Sequence, residues 1–526
     1  MNYRKIFKFE LFWLVIILAI GAFFRFWQIE SGQHFTYDQA RDYLIVKRII
    51  IDHKFTLVGP TVLAPGVYLP PFYYYLLIPF LWLFKFHLLG PDIYTALLGT
   101  VSIAFFYLLA KDFFGIKPAL LSTLFFSLNP YLIQASRHAW NPNTIYFFTL
   151  IFALSFERYL LRERRNYLIL ASLGLSWAIS LHYTILVFIP LLFFLWLKEF
   201  KRKKFSKQFA LSLFIFLFFI FPIFFFELRH NFPNTKGVLS FFQEQTSNIS
   251  FWQTLGQRIL RMVIDWIKMP LVLFSGLNQP ENLTINPSHI LLFDKVNLLR
   301  NTANLWFKMK LIFFFLVLAL AFFCLGKLWR LGKEKPVKII LTFLMSGFII
   351  RLFFPQNSFY FYHYTFLFPF PFLVLASLFK ILLKNKKLWL KMSGILVAVI
   401  FSFLSFFPER IINEPKTEKY FLPVCEEISK NFSLEKIAIA ANLADRSRWD
   451  HNALEYRYFL EAFFKLPLGN WDVEDYKNAD VLYLIDEGNL SEPLKLGGME
   501  MESFGPKKIE KVWQVATGQK IYKLKR

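Results

Sequence analysis

The chain has 526 residues, of which 56% are hydrophobic, 20% aromatic and 18% charged. The apolar residues fall in long blocks separated by Lys and Arg clusters, a distribution that excludes an ordinary cytosolic globule. The net charge of +24 lies in those clusters rather than on one basic face, which favours membrane topology over a nucleic-acid partner. The two cysteines, Cys324 and Cys425, argue against a disulfide framework and against a cysteine-based metal site.

Eleven apolar runs predict an α-helical polytopic membrane protein. They lie near residues 9–28, 92–110, 118–135, 143–161, 166–181, 183–197, 208–226, 309–326, 337–353, 362–379 and 388–407. The first run follows three basic residues, as a signal peptide would, but no small-residue cleavage site follows it, so we expect a retained helix. A twelfth run, 68–84, is interrupted by proline and rich in Tyr and Trp, which prefer the membrane interface.

The distribution of Lys and Arg decides whether run 68–84 crosses the membrane. If it does not cross, the segments assigned to the cytoplasm carry 24 Lys and Arg, whereas the short outward loops carry only Arg137 and Arg351. If it crosses, the KEFKRKK cluster at 198–204 lies outside, against the positive-inside rule. We therefore expect a re-entrant or interfacial element in the first outward loop, and an extracytoplasmic chain beyond residue 408.

Two domains are predicted, a transmembrane domain over 1–408 and a small extracytoplasmic α/β domain over 409–526. In the second domain, KIAIAA at 436–441 and DVLYLID at 480–486 predict buried strands, with an amphipathic segment near 452–464 between them. This domain either helps to recognise an acceptor or serves as a lid or stabilising appendage.

The first outward loop contains two aspartates that are candidates for chemistry. Asp38 and Asp42 share one face of a helix, with Arg41 alongside. Carboxylates at the membrane edge are costly unless they are hydrated or paired, which favours a functional role. The alternative is that Asp38 caps the helix and that Arg41 and Asp42 form a surface ion pair.

Cations, amides and aromatic side chains recur at four further outward loops. Together they suggest an anion site with an aromatic wall, suited to a phosphate and a sugar, although each side chain alone can snorkel to the lipid head groups. The candidates are Arg137, Trp140, Asn141, His182, Tyr183, Arg229, His230, Arg351, Tyr360, His363 and Tyr364.

Several other reaction classes lack support in the sequence. We find no Walker-type loop, no G-x-G-x-x-G, no H-E-x-x-H and no G-x-S-x-G. The few charges inside the runs argue against an ion-coupled transporter. A hard cation held by Asp38, Asp42 and His182 remains an alternative, so the metal requirement is open.

The order of these features resembles the GT-C glycosyltransferases that use polyprenyl-phosphate sugars, in the branch similar to protein O-mannosyltransferases, aminoarabinose transferases and RgtA-like lipopolysaccharide-core glycosyltransferases. The resemblance covers roughly residues 9–410. It is carried by YDQARD (37–42), GVYLPPFYYYLLIPFLWLF (66–84), SRHAWNPN (136–143), HYT (182–184), ELRHNF (227–232) and FYFYHY (359–364).

The resemblance implies a multi-pass enzyme of the cell membrane with an extracytoplasmic active site. It would be an inverting hexosyl- or pentosyltransferase that moves a sugar from a polyprenyl-phosphate donor to a protein, glycolipid or polysaccharide, as in protein glycosylation or lipopolysaccharide assembly. Its partners would be membrane lipids, the lipid-linked donor and the acceptor, with no nucleic acid. The competing functions are a transporter or flippase for lipid-linked saccharides and a non-catalytic scaffold of envelope assembly.

The resemblance also implies roles for individual residues. The acidic pair of the family's first loop is usually Asp-Glu, whereas here it reads Asp38-Gln39, so the catalytic aspartate carries over and the second acidic residue does not. Either Asp42 takes over part of that role or the enzyme works without a divalent cation. The phosphate-binding candidates are Arg137, Arg229, Arg351 and His363. The sugar- or lipid-binding candidates are Trp140, Asn141, His182, Tyr183, His230, Tyr360 and Tyr364.

Overall fold

The structure is a computed structural model that describes residues 3–62, 66–243, 251–275, 305–354, 359–406, 416–432, 435–444, 451–488 and 490–526. The chain divides into two compact units. The first unit comprises Met1–Trp27, Thr56–Tyr73 and Asp92–Ile412, and the second comprises Gln28–Phe55, Tyr74–Pro91 and Asn413–Arg526. Two stretches of the predicted first outward loop therefore belong to the same unit as the C-terminal segment.

Helices make up most of the described chain. They are α1 (Tyr3–Phe26), α2 (Tyr37–Ile51), α3 (Phe72–Leu83), α4 (Leu89–Phe114), α5 (Ile116–Leu128), α6 (Pro130–Ala135), α7 (Ile145–Leu161), α8 (Tyr167–Leu181), α9 (Ile189–Lys203), α10 (Lys207–Arg229), α11 (Pro233–Gln243), α12 (Phe251–Ser275), α13 (Leu305–Arg330), α14 (Glu334–Phe348), α15 (Pro369–Lys384), α16 (Leu388–Phe406), α17 (Glu418–Lys430), α18 (Leu454–Ala462), α19 (Val473–Asn478) and α20 (Met499–Phe504). The strands are β1 (Ile437–Asn442), β2 (Val481–Asp486), β3 (Lys508–Gln514) and β4 (Lys520–Lys525).

Several of these helices are long and apolar enough to cross a membrane. Within the described residues there are six, or seven if the 3₁₀ turn Phe361–Leu367 and α15 count as one span bent by 54°. Each of the eleven predicted runs coincides with helical structure, but α5, α8 and α14 are shorter than the roughly 20 residues that a crossing needs. The predicted fold class, a mostly helical membrane protein with a small C-terminal sheet domain, is confirmed, while the number of eleven crossings stays a prediction.

The proline-broken run 68–84 forms the short helix α3. It has 12 residues with Pro79 inside, and at 1.5 Å per residue it is far shorter than the hydrocarbon core of a bilayer. Its length is therefore in keeping with an element that does not cross, and the re-entrant or interfacial placement stays a prediction.

Helix α15 lies at the core of the first unit. Every residue from Pro369 to Phe379 is buried, and the helix packs against α5 and α13. The hydroxyl of Ser122 on α5 donates to the carbonyl of Phe372 in the first turn of α15, 2.5 Å away. This buried helix fixes the position of the 3₁₀ turn that precedes it.

The second unit is built around a four-stranded sheet with the order β1-β2-β4-β3. Strands β1 and β2 pair in parallel and are almost entirely buried, and α18 follows β1 in the chain, so the predicted strands and the helix between them are confirmed. The antiparallel hairpin of β3 and β4 was not predicted. It turns at Gly518, whose φ of +95° favours glycine.

Candidate functional site

Asp38 and Asp42 of the second unit are positioned by α2, whose first turn is fixed by a cap. Thr36 is the N-cap, and Gln39 Oε1 accepts hydrogen bonds from the Thr36 amide at 3.1 Å and from its hydroxyl at 3.3 Å. Gln39, the position at which the resemblance led us to expect a glutamate, therefore serves in a capping box. Asp38 lies in the first turn, where the helix dipole favours a negative charge. The alternative in which Asp38 caps this helix is wrong.

Arg41 joins the two predicted catalytic carboxylates. Its Nη1 lies 3.1 Å from Asp38 Oδ1, and its Nε and Nη2 lie 2.9 Å from Asp42 Oδ1. The Asp38 side chain is 40% exposed, whereas those of Arg41 and Asp42 are 12% and 1% exposed. The pair of Arg41 and Asp42 is therefore buried and is not the surface ion pair considered from the sequence.

Asp42 has unusual surroundings for a carboxylate. The Tyr74 hydroxyl donates to Asp42 Oδ1 at 3.2 Å, and Oδ2 is buried with no hydrogen-bond partner among the described residues. Burial raises the pKa of Asp42 to about 7, although the Arg41 guanidinium opposes the shift. Asp42 can therefore exchange a proton near neutral pH.

Helix α2 is anchored inside its own unit by the C-terminal segment. Arg48 Nη2 lies 2.8 Å from Glu461 Oε1 on α18, and Lys47 Nζ lies 3.5 Å from the other oxygen of the same carboxylate. Ahead of the helix, the Phe35 ring packs within 5.4–5.8 Å of the rings of Phe421, Tyr458 and Phe459. The C-terminal segment thus contacts both ends of the helix that carries Asp38.

In the first unit, Arg351 and Tyr364 meet at an acidic residue that the sequence analysis missed. Arg351 Nε lies 3.2 Å from Asp265 Oδ2, and the Tyr364 hydroxyl donates to the same oxygen at 2.7 Å. The Arg351 guanidinium also lies 4.8 Å from the centre of the Phe359 ring and donates to the Phe354 carbonyl. These contacts hold Arg351 in one orientation.

Two further arginines of α12 lie close enough to Arg351 to affect each other's charge. The pKa values of Arg258 and Arg261 are lowered, first by burial and then by repulsion from Arg351. Arg258 Nη1 also donates to the Leu352 carbonyl at 2.9 Å. Spacings of three and four residues place Arg258, Arg261 and Asp265 near one face of the helix. The sequence shows this signal once the stretch is recognised as an amphipathic helix.

A small apolar cleft opens directly beside this group of charges. It is lined by Trp266, Met269 and Pro270 of α12, Leu318 and Phe322 of α13, Leu344 and Phe348 of α14, and Pro371 and Val374 of α15. The centre of the Phe348 ring lies 5.1 Å from that of Tyr364, and Trp266 follows Asp265 in the chain. Charged and apolar surfaces are therefore adjacent here.

An aromatic cluster brings together residues predicted from three separate loops. The Tyr362 ring lies 4.6 Å from Trp140, 5.9 Å from His182 and 4.3 Å from His363. The two histidine rings are 5.1 Å apart. Tyr360, which is 45% exposed, stacks on Tyr362. The predicted aromatic wall thus has a physical counterpart within the first unit.

Both histidines of this cluster use Nδ1 as an acceptor. Nδ1 of His363 accepts from the Tyr360 amide at 2.9 Å, and Nδ1 of His182 accepts from the Thr184 amide at 3.3 Å. An accepting nitrogen requires the neutral ring, and burial lowers the pKa of His182 to about 4. In this arrangement His363 is a donor through Nε2 rather than a cation for a phosphate.

The remaining candidates are engaged elsewhere or exposed. Arg137 Nη1 donates to the carbonyls of Phe24 and Trp27, Asn141 Nδ2 donates to the Leu181 carbonyl, and the Tyr183 hydroxyl donates to the Tyr68 carbonyl. Arg229 and His230 lie exposed at the end of α10, where His230 stacks on Phe226 at 4.3 Å. Their binding roles stay predictions.

The chain was compared with known families and structures. Residues 69–226 match the family described as dolichyl-phosphate-mannose-protein mannosyltransferase. A sequence comparison with curated proteins gives no significant match. The archaeal oligosaccharyltransferase AglB from Archaeoglobus fulgidus, in complex with an inhibitory peptide and a dolichol-phosphate, is similar at 14% identity over 99% of this chain and 74% of that chain, with a TM-score of 0.50.

Two further structures are similar in fold. The Archaeoglobus fulgidus oligosaccharyltransferase tethered with an acceptor peptide containing the NVT sequon has 14% identity over 98% of this chain and 74% of that chain, with a TM-score of 0.50. ArnT from Cupriavidus metallidurans bound to undecaprenyl phosphate has 11% identity over 97% of this chain and 98% of that chain, with a TM-score of 0.43. The chain has the GT-C fold, and the predicted resemblance to glycosyltransferases that use polyprenyl-phosphate sugars is confirmed.

Proposed function

We propose that the chain is an inverting glycosyltransferase that moves a sugar from a polyprenyl-phosphate donor to an acceptor on the extracytoplasmic side of a cell membrane. The proposal is carried by one observation, the partly exposed Asp38 carboxylate that Arg41 holds on the first turn of α2. The GT-C fold and the family match over 69–226 support it.

The proposed chemistry needs only one carboxylate. A lipid phosphate is a weak base and leaves readily, so no general acid is required. Asp38 would accept the proton of the acceptor hydroxyl. The hydroxyl oxygen of the acceptor attacks the anomeric carbon on the face opposite the phosphate, so the configuration at that carbon is inverted and the lipid phosphate leaves. A positioned general base typically contributes about 10²- to 10⁴-fold in rate. Its partial exposure leaves Asp38 accessible to an acceptor.

We assign the donor phosphate to the arginines around Asp265. Among the described residues, Arg351, Arg258 and Arg261 lie near one another around Asp265, and such a group of guanidinium groups is suited to binding a phosphate. Preorganised charge at a leaving group is often the largest catalytic effect, with about 3 to 4 kcal/mol for one donor in well-studied oxyanion sites. Because Arg137 is already bound to two carbonyls, we rank it below these three as a phosphate ligand.

We assign the start of the polyprenyl chain to the apolar surface that α12, α13, α14 and α15 form around this narrow cleft. Its walls are apolar, and it begins one residue after Asp265, so a lipid phosphate bound at the arginines would have its first isoprene units against Trp266 and Phe348. Trp140 and Tyr362 would then stack on the sugar. AglB is described in complex with a dolichol-phosphate, a ligand of the same chemical class.

The test is donor turnover by the purified full chain in lipid nanodiscs. Dolichyl-phosphate mannose and a panel of undecaprenyl-phosphate sugars are supplied with peptide, glycolipid and polysaccharide acceptors, and free polyprenyl phosphate is measured by mass spectrometry. Asp38→Asn should abolish its release, whereas the control Asp52→Asn, on the exposed C-cap of the same helix, should not.

The same assay separates the competing function. A flippase would move the donor across the bilayer and release no polyprenyl phosphate, and Asp38→Asn would leave that movement intact. The anomeric configuration of the product, measured by NMR, tests inversion. Full turnover in Asp38→Asn would refute the proposed function.

A further inference from the structure

The family resemblance implies a metal ion beside the acidic pair of the first loop, but the residues present do not fit one. The second acidic position is Gln39, whose carbonyl oxygen is occupied by the backbone and hydroxyl of Thr36. Within the described ranges, no three His, Cys, Asp or Glu side chains are grouped so as to hold a metal ion. Only Asp38 and Asp42 remain as carboxylate ligands.

The space between these two carboxylates holds a guanidinium. Nη1 of Arg41 is 3.1 Å from Asp38, and Nε and Nη2 are 2.9 Å from Asp42. Arginine stays protonated at all relevant pH values, and its planar fork is suited to binding carboxylates along two edges. A divalent cation bridging the same two carboxylates would meet this positive charge at close range. Arg41 therefore excludes a bridging metal as long as it keeps this position.

The arrangement is ordered from the buried end outward. Asp42 is 1% exposed and receives hydrogen bonds from Tyr74 and Arg41, which fixes the carboxylate and, through it, the guanidinium. The other end of the guanidinium then meets Asp38, the exposed member of the group. Burying a carboxylate and an arginine is costly, and such a pair is weak support for stability alone. The buried pair of Arg41 and Asp42 is explained instead by a function, which is to position Asp38.

We propose that Arg41 takes the place of the metal ion of the family's first-loop site, positions the Asp38 carboxylate and makes sugar transfer independent of divalent cations. The part that concerns transfer rests on the proposed function, whereas the exclusion of metal does not. Arg41 is a positioning residue, since it acts through Asp38. Asp42 is the buried anchor of this arrangement rather than a metal ligand.

Metal exclusion is tested without substrate. Mn²⁺ is titrated into the purified full chain in nanodiscs, and bound ion is counted by electron paramagnetic resonance. The wild type should bind no Mn²⁺ that depends on Asp38. Arg41→Ala, which leaves two carboxylates without their guanidinium, should gain a Mn²⁺ site that disappears in the double variant Arg41→Ala/Asp38→Asn. An Asp38-dependent Mn²⁺ site in the wild type, or no gain in Arg41→Ala, would overturn the proposal.

The positioning role is tested by donor turnover with dolichyl-phosphate mannose or the best donor of the panel. Wild-type turnover should be unchanged by EDTA. The turnover rate of Arg41→Ala should be about 10²-fold lower than that of the wild type, the typical effect of a misplaced catalytic group. Added guanidinium chloride at low millimolar concentration should restore part of the rate of Arg41→Ala but none of the rate of Asp38→Asn.

A variant that keeps the charge guards against simple unfolding. Arg41→Lys should fold, exclude Mn²⁺ and retain more turnover than Arg41→Ala. Loss of wild-type activity in EDTA with recovery in Mn²⁺ would refute metal independence. If no donor is turned over by the wild type, the proposed function fails, and the Mn²⁺ titration still decides whether Arg41 occupies the cation position.

Discussion

Asp265 accepts two contacts on one oxygen, from Arg351 Nε at 3.2 Å and from the Tyr364 hydroxyl at 2.7 Å. This carboxylate therefore orients both a cation and a phenol. Arg258 and Arg261 lie on the same helix as Asp265. The ion pair of Arg351 with Asp265 therefore also holds the Arg351 guanidinium close to two other arginines.

Arg351→Ala should weaken use of the donor. It removes a fixed charge from the proposed phosphate site, at a cost of about 3 kcal/mol, or roughly 10²-fold in kcat/KM for the donor. Arg351→Lys should recover only part of this loss, since lysine lacks the planar fork. The measurement is the initial rate against donor concentration, with Arg330→Ala at the exposed end of α13 as control. Equal rates for Arg351→Ala and the control would remove Arg351 from the phosphate site.

Leu318→Trp should select against long lipid chains. Leu318 is 5% exposed and lines the cleft, so a larger side chain takes the space that we assign to the isoprene units. Turnover of a donor with a long polyprenyl chain should fall several-fold more than turnover of one with a two-isoprene chain. Leu316→Trp, two residues earlier and 60% exposed, is the matched control. If both donors are affected alike, the lipid does not occupy this cleft.

Asp42→Asn should change how stability depends on pH. The pKa of Asp42 in the folded chain is about 7, above the ordinary value of 3.8, so the folded state binds this proton more tightly than the unfolded state does. The stabilisation linked to this proton is complete below the unfolded pKa and is lost as the pH rises through about 7.

Asparagine is neutral throughout that range. The Tm of Asp42→Asn minus the Tm of the wild type should therefore increase as the pH is raised from about 5 to about 8. Thermal unfolding of both proteins across this range measures the difference in Tm. A difference that does not change with pH would show that Asp42 is not the titrating group.

Glu461→Ala should destabilise the second unit. It leaves Lys47 and Arg48, whose side chains are 14% and 15% exposed, without their shared carboxylate. We expect the free energy of unfolding to fall by roughly 1 to 3 kcal/mol, which is less than the cost of breaking a fully buried pair because water reaches these groups. Scanning fluorimetry of the full chain measures it, and Glu492→Ala, an exposed partner of Lys495, should have little effect. Identical Tm values for the two variants would contradict the anchoring role.

Local patterns were enough to predict that Asp38 and Asp42 lie on one helix and that two buried strands form part of the second unit. The four-residue spacing of Asp38 and Asp42 indicated a shared helix face, and the two apolar runs indicated buried strands, whose parallel pairing the structure adds. What the spacing did not give was burial. Whether Arg41 and Asp42 form a surface pair or a buried one depends on Tyr74, a residue remote in sequence.

The charges of α12 were missed because no apolar run of membrane-spanning length lies between 226 and 309, so no helix was expected there. An Arg-x-x-Arg-x-x-x-Asp spacing is informative only once a helix is assumed, and the partner Arg351 lies in a different loop. The β3–β4 hairpin was missed because both strands are short and rich in Lys: β3 is an exposed edge strand, and β4 is buried only through its pairing with the remote strand β2. In both cases the deciding contacts are long-range, which periodicity does not report.

The way α2 is held has a genetic consequence. Phe35 packs on Phe421, Tyr458 and Phe459, while Lys47 and Arg48 share Glu461, so the residues that fix the Asp38 helix are encoded hundreds of codons downstream. A premature stop codon ahead of residue 413 would leave the first unit's sequence intact and still deprive that helix of these contacts. Nonsense alleles that remove the chain from residue 413 onward should therefore behave as nulls.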